Sequence, residues 1–458
     1  MSASRKLSLL RHMLMARWRW KHLRSAALER FQELHVQQIV AFAAQHSPFY
    51  RSHWAGHALS EWRTLPCVDK ALMMQHFDTF NTRGISREQA MAIALEAERS
   101  RDFRPVLEGV TVGLSSGTSG HRGLFLANAW EQSAWAGTIL ARTLHHLPRH
   151  VLRVAFFLRS NSNLYEGVAS RLIQFRYFDL MLPLKAAVSA LNEFQPHIIV
   201  GPPSLLGFLA NEREGGRLRA RPGRLISVAE VLEPHDRQRL EAIFDAPVHQ
   251  IYQCTEGLLA VACEQGSLHI QEDVVMIQLE PLPGGDGAQE QRFMPVVTDM
   301  WRRTQPIIRY RLNDVLQMET QPCACGSAFR VIRAIEGRCD DICYFESLAG
   351  GTRPFFPDTI RRMILLSSPH ILDYQAIQER CGQLSIHLVV APLASFSEVA
   401  QTVQESVQAT VAQYACRPAL VRIEEGLEPA VPGVKRRRVH QTLRCAQADM
   451  SGFGRETS

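Results

Sequence analysis

The chain lacks any run of about 18 or more apolar residues, so it carries no candidate transmembrane helix. Near its start Arg11, Arg17 and Arg19 interrupt every apolar segment, which argues against a signal peptide. Cysteine is sparse: 10 in 458 residues do not make a disulfide scaffold, and reduced thiols or metal ligands are expected instead. A cytoplasmic protein is the expectation. Neither the Gly-x-x-x-x-Gly-Lys-Ser/Thr phosphate loop nor the dinucleotide Gly-x-Gly-x-x-Gly fingerprint is present. A large excess of one charge is also missing, and a net +6 is too mild to demand nucleic acid. The remaining composition, 46% hydrophobic and 21% charged, is ordinary for a globular protein with a sizeable core.

What the chain does have is Val112-Gly113-Leu114-Ser115-Ser116-Gly117-Thr118-Ser119-Gly120-His121-Arg122-Gly123. Glycines let the backbone approach a ligand without a Cβ in the way. Successive N–H groups, helped by Ser and Thr hydroxyls, can then wrap an anionic oxygen. The apolar Val110-Thr111-Val112 just before it reads as the end of a strand. Taken alone, the stretch is equally readable as a polar surface turn.

Other segments change that balance. Ser115 to Gly120 resembles the phosphate loop of the adenylate-forming enzymes, where Ser-Ser-Gly-Thr-Thr-Gly is usual. In the same order as in that superfamily come Tyr252-Gln253-Cys254-Thr255-Glu256, Arg309-Tyr310-Arg311-Leu312-Asn313-Asp314 and Gly337-Arg338-Cys339-Asp340-Asp341. Ser47-Pro48-Phe49-Tyr50 and Pro322-Cys323-Ala324-Cys325-Gly326 resemble the phenylacetate–coenzyme A ligase branch. The resemblance runs from about Ser47 to Val439.

It implies an α/β fold: a large N-terminal layered α/β domain over 1–340 and a small mobile α+β domain over 341–458. It assigns Ser115, Ser116, Gly117, Thr118, Ser119 and Gly120 to phosphate, Tyr252 to adenine, Thr255 to phosphate, Glu256 to Mg²⁺, and Asp314 with Arg338 to ribose. A hard carboxylate ligand suits Mg²⁺ bridged to substrate phosphates. Glu230 occupies the place of the family's adenine-lining element, without the family's glycines. The loop also lacks the usual Pro-Lys after Gly120, and Arg122 supplies a cation there. The final motif aligns Lys435 with the mobile catalytic lysine, although Val434 stands where the family has glycine. Read without the family, Lys435-Arg436-Arg437-Arg438 is a solvated or nucleic-acid-binding run.

Residues 5–45 contain no Pro or Gly and read as helix. Leu7, Leu10, Leu14 and Trp18 fall on one stripe, flanked by seven cations. Packing of that helix on its own domain is expected over contact with an anionic membrane. Further on, strand-like 151–158, 198–200 and 225–231 alternate with helix-like segments, as a layered α/β fold requires. Cys263, His269, Cys323 and Cys325 form two close pairs of ligands of the kind a structural zinc site uses. Some members of the ligase branch carry zinc at similar pairs.

The expected reaction is a carboxylic acid, aryl or fatty acyl, plus ATP giving an acyl-adenylate, followed by capture on a thiol. Coenzyme A is the expected acceptor, with the phosphopantetheine of an acyl-carrier protein, or an amine, as the alternative. A non-catalytic basic scaffold is the second alternative. Retention of Glu256, Asp314, Arg338 and Lys435 together weighs against it. The acid and the oligomeric state stay open.

Overall fold

A computed structural model describes residues 3–103, 106–114, 123–144, 150–158, 172–180, 184–282, 291–427 and 437–442. Residues 115–122, the polar loop 159–165 and Lys435 lie outside the described residues.

Among the described residues one sheet holds 12 strands. Ile173–Asp179, Leu152–Leu158, Ile198–Gly201, Arg224–Ser227 and Val248–Cys254 lie side by side and parallel. Parallel strands need crossover helices, so both faces become covered and their sequences read as apolar runs. Ala155, Phe157, Ile199, Leu225 and Val248 pack beneath the helices Leu184–Phe194, Pro203–Glu214 and Pro234–Phe244. Val154 and Ile173 face the other way, against the helices Ala3–His22 and Ala129–Thr143. The sheet changes sense at Val248–Cys254, which is parallel to Arg224–Ser227 and antiparallel to Gly257–Ala262. From there the sheet continues antiparallel through Leu268–Ile270, Val331–Arg338, Asp314–Met318, Arg292–Asp299 and Val275–Pro281.

After Asp341 a second, four-stranded sheet forms from Leu420–Glu425, Gln383–Val390, Ile371–Arg380 and Val439–Gln441. The helix Phe396–Gln413 covers it with Val399, Val403, Val407 and Val411, one residue per turn along a single face. These pack on Ile386, Leu388, Ala376 and Phe345 as a core of their own.

The single helix expected over 5–45 is two helices, Ala3–His22 and Ser25–His46. Neither Pro nor Gly marks the break. Leu23 turns inward onto Leu28 and Phe329, and Ser25 takes φ 31° to permit it. The first helix does pack on its own chain, but through a different stripe from the expected one. Met13, Ala16 and Leu9 face Leu140 and Ala141 of Ala129–Thr143 and Leu144 just after it, while Leu7, Leu10, Leu14 and Trp18 are exposed.

The contact is close because Gly137 has no side chain: a Cβ there would stand 2.7 Å from His12 Cβ and 2.8 Å from Leu9 O. Arg142 fastens the same contact, donating to Ala16 O at 2.7 Å and to Asp273 Oδ1 at 2.8 Å. Gly137→Val should therefore push the first helix off and cost about 1–3 kcal/mol of stability. Urea unfolding with limited proteolysis checks this, and unchanged stability with a protected first helix would contradict it.

Candidate functional site

The site assembles at the seam where the sheet changes sense, at the carboxyl end of Val248–Cys254, as ligand sites in open α/β sheets do. Tyr252 lies two residues before the end of that strand, its hydroxyl donating to Asp314 Oδ2. Burial, together with the neighbouring Asp314 charge, raises the phenol well above its usual range, so it stays a donor. Asp314 lies opposite Arg338 in the antiparallel pair Asp314–Met318 and Val331–Arg338, with Arg338 Nε 3.9 Å from Asp314 Oδ1.

Glu256 is buried in the turn that follows. Thr255 Oγ1 donates to its Oε2 at 2.8 Å, and Tyr310 OH donates to its Oε1 at 2.9 Å. Both donors are neutral and each occupies one lone pair, which leaves the others for a cation. Tyr310, like Tyr252, is raised by burial first and then by the adjacent Glu256. Cys254 is pushed up by burial and by Glu256, which keeps it a thiol rather than a nucleophile.

Two residues outside the motifs hold this turn. Arg302 Nη1 donates to Thr255 O at 2.5 Å, and its Nη2 to Gln305 Oε1 at 2.9 Å. Gln305, fully buried, also accepts from Leu126 N at 3.0 Å and donates to Leu124 O at 3.2 Å. Leu124–Ala127 pairs with Val110–Leu114, Leu114 opposite Leu124. The hairpin whose connection contains Ser115, Ser116, Gly117, Thr118, Ser119, Gly120 and Arg122 is thus tied to the Thr255–Glu256 turn. Those seven residues, and Lys435, lie outside the described residues.

Lys70 joins the site from a segment the motifs pass over. Val68 N donates to Arg309 O at 3.0 Å and Arg311 N to Val68 O at 2.8 Å, a parallel bridge alongside Tyr310. This carries half-buried Lys70 to the charged cluster. Burial lowers its ammonium pKa, Glu256 opposes that, and Arg338 adds to it. In the sequence, Asp69-Lys70 carries only a helix start, with Asp69 capping Leu72 N at 2.8 Å.

Glu230 is engaged elsewhere, accepting from Ser204 N at 3.2 Å in the first turn of Pro203–Glu214. Before it, Ala229 sits at φ 69°, a left-handed position that glycine would favour.

The basic run is not a solvated one at its described end. Arg437 forms an ion pair with buried Asp341. Arg438 binds Asp236 Oδ2 at 2.6 Å and Asp373 Oδ1 at 3.0 Å. Burial alone would raise Asp236, but His235 and Arg438 hold it well below the carboxylate range. Arg361 adds a contact to Glu233 at 2.6 Å. Ion pairs from Glu233 and Asp236 thus join the helix Pro234–Phe244 to the part of the chain beyond Asp341.

Cys263, His269, Cys323 and Cys325 converge, their ligand atoms all within 4.8 Å of one another. Cys263 Sγ lies 3.8 Å from Cys323 Sγ, and Cys325 Sγ 3.3 Å from His269 Nε2. Two sulfurs of a tetrahedral zinc, each at ~2.3 Å, stand about 3.8 Å apart, so the spacing fits. His269 Nδ1 donates to Phe329 O at 2.8 Å, which leaves Nε2 as the lone-pair nitrogen facing the thiols.

No protein-family model matches the chain, and no curated protein does. Solved structures do. A 2-hydroxyisobutyryl-CoA ligase in the postadenylation state, in complex with 2-HIB-AMP, is 19% identical, with 92% of this chain and 91% of that one covered, at TM-score 0.66. The same ligase in the thioesterification state, with 2-HIB-AMP and CoA, is 19% identical over 94% and 93%, at TM-score 0.55. An acyl acid amido synthetase is 12% identical over 91% and 92%, at TM-score 0.56. The fold is that of the adenylate-forming enzymes. It is a mixed α/β fold with a large sheet, and the match extends over nearly the whole chain.

Asp299 closes the strand Arg292–Asp299 behind the Glu256 turn, accepting from Trp301 N at 2.9 Å and Arg302 N at 3.1 Å. Burial pushes its carboxyl up to about 6, against the pull of those two N–H groups and the Arg302 charge. A carboxyl raised on folding contributes stability below its unfolded value of 3.8, and loses it as pH rises through about 6. Relative to Asp299→Asn, the wild type should therefore lose melting temperature between about pH 4 and pH 6 and hold a constant offset above. A pH-independent offset across that window would contradict the assignment.

Proposed function

We propose that the chain activates a carboxylic acid with ATP as an acyl-adenylate and transfers the acyl group to a thiol. The observation that carries this reading is the buried Glu256 carboxylate, clamped by two neutral hydroxyls beside the Tyr252–Asp314–Arg338 group. Asp314 would accept both ribose hydroxyls, with Tyr252 beside the adenine and Arg338 near ribose and phosphate. Glu256, with Thr255 at the phosphates, would hold Mg²⁺. When bound, that ion neutralises phosphate charge.

The substrate carboxylate oxygen forms a bond to the α-phosphorus, the α–β bridging bond breaks, and pyrophosphate leaves. Little covalent work falls to the protein, which positions and neutralises. Ser115 to Gly120 with Arg122 would hold the departing pyrophosphate, and Lys435 would stand between the two anionic reactants. A thiolate then attacks the acyl carbon and AMP leaves. Coenzyme A is the preferred acceptor, and a carrier-protein phosphopantetheine is the alternative. Glu230 we place at the adenine side by virtue of the Ala229 turn, with its present bond to Ser204 steadying that turn.

We divide the chain at 340/341, the smaller unit rotating between the two half-reactions. Its separate core and the side-chain ion pairs that fasten it support this. The four-residue cluster Cys263, His269, Cys323 and Cys325 we assign to structural zinc, joining the Cys263–His269 hairpin to the segment before Arg338. A cytoplasmic location completes the reading. The nucleic-acid alternative loses support, because Arg437 and Arg438 are held by the chain's own aspartates.

Acid-dependent ATP–pyrophosphate exchange over a panel of aryl and aliphatic acids tests the first half-reaction, and no exchange with any acid would overturn it. Lys435→Ala should lower exchange by about 10²–10³, while thiol capture from a preformed acyl-adenylate stays near normal. Exchange at the wild-type rate would remove Lys435 from the site. Arg437→Ala should also reduce activity, because it leaves buried Asp341 unpaired. Elemental analysis of chelator-free protein should find about one zinc per chain, lost in Cys323→Ser/Cys325→Ser. A metal-free preparation with full stability would reject the zinc.

A further inference from the structure

The first helix, Ala3–His22, carries two unlike faces. The inner one is fastened: Gly137 admits its backbone, Arg142 holds Ala16 O, and Arg17 donates to Leu144 O. Among the described residues the outer one is left exposed. Leu7 is 70% exposed, Leu10 45%, Leu14 54%, Met15 44% and Trp18 58%. Leu7, Leu10, Leu14 and Trp18 recur at three and four residues, with Met15 beside Leu14, and form an apolar ridge along the helix that Arg11 interrupts. Leaving such a ridge in water is unfavourable, and contiguous exposed apolar surface marks an interaction site.

The charges beside the ridge say what covers it. Lys6, Arg11 and Lys21 are exposed on the same side, and Arg24 follows at the helix end. No Asp or Glu occurs before Glu29, so nothing in this helix neutralises those cations. An apolar ridge bordered by cations alone matches the boundary between acyl chains and anionic headgroups. Trp18, stacked on His22 at 5.0 Å, supplies the amphipathic aromatic that settles at that depth. Among the described residues no helix is long and apolar enough to cross a membrane. The contact is therefore lateral and reversible.

We infer that the outer face of Ala3–His22 docks the protein on an anionic lipid bilayer, lying in the headgroup plane with Leu7, Leu10, Leu14, Met15 and Trp18 inserted. Because Gly137 and Arg142 fix the helix to the main sheet, docking needs no unfolding and orients the whole chain on the surface. The site described above is not part of this face, so the inference stands apart from the proposed chemistry.

Co-sedimentation of the full chain with equimolar phosphatidylglycerol/phosphatidylcholine vesicles, against pure phosphatidylcholine vesicles, tests it. The wild type should pellet with the anionic vesicles and remain mostly soluble with the neutral ones. Leu10→Glu/Leu14→Glu/Trp18→Glu should lower the anionic partition by at least about tenfold while leaving folding and nucleotide chemistry unchanged. Lys6→Gln/Arg11→Gln/Lys21→Gln should do likewise, and 0.5 M salt should mimic it, on the order of tenfold or more. Failure of the wild type to pellet with the anionic vesicles, or equal pelleting by the apolar triple variant, would overturn the inference. So would light scattering that shows a wild-type dimer which the same triple variant dissociates, since the ridge would then join two copies.

Discussion

A carboxylate taken out of water must find donors or a cation, and Glu256 sets that demand at the centre of this fold. Its two hydroxyl donors come from different places: Thr255 from the same turn, Tyr310 from a two-residue strand beside Arg292–Asp299. The turn can hold both only where a parallel strand ends and an antiparallel partner begins, at Val248–Cys254 and Gly257–Ala262. Around it, Asp299, Arg302 and Gln305 form a chain of buried hydrogen bonds that reaches the hairpin base at Leu124. Thr255, Tyr310, Arg302 and Gln305 are therefore positioned around the turn that holds one buried carboxylate. Removing a single partner from such a network strands another buried polar group.

A second constraint lies where the chain beyond Asp341 meets the helix Pro234–Phe244. The contact there is made by Arg361 and Arg438 on Glu233 and Asp236 rather than by a shared apolar core. Arg437, on Asp341, ties the basic run to the turn that follows Arg338.

Much of this was legible in the sequence because the motifs are local. Tyr252, Thr255 and Glu256 sit within five residues, and Asp314 and Arg338 each lie in a short motif. The strands at 151–158, 198–200 and 225–231 announced themselves as apolar runs, whereas Ile173–Asp179, which carries Gln174, Arg176 and Asp179, did not; the four ligands of the cysteine–histidine cluster came as two close pairs. What stayed hidden depends on partners distant in the chain. Gln305 and Arg302 look like ordinary polar residues until folding buries them beneath the hairpin. Lys70 reaches the site only through the bridge between Val68 and Tyr310. The first helix shows the same limit: periodicity found its apolar stripe at Leu7, Leu10, Leu14 and Trp18. Which stripe faces inward was decided by Gly137 and Arg142, more than a hundred residues away. Solvation was the simple reading of Arg437 and Arg438 because their aspartates come from three separate elements.

The central claim, that Tyr310 acts by holding Glu256, is tested most directly by a double-mutant cycle on acid-dependent pyrophosphate exchange. The single variants are Tyr310→Phe and Glu256→Gln, and the cycle is completed by their combination. A hydrogen bond to a charged group contributes about 1.5–3 kcal/mol, so Tyr310→Phe alone should slow exchange roughly 10- to 100-fold. In the Glu256→Gln background the same change should cost little, giving a coupling of at least about 1 kcal/mol. Additive losses would contradict the account and make Tyr310 a packing residue that acts independently of the carboxylate.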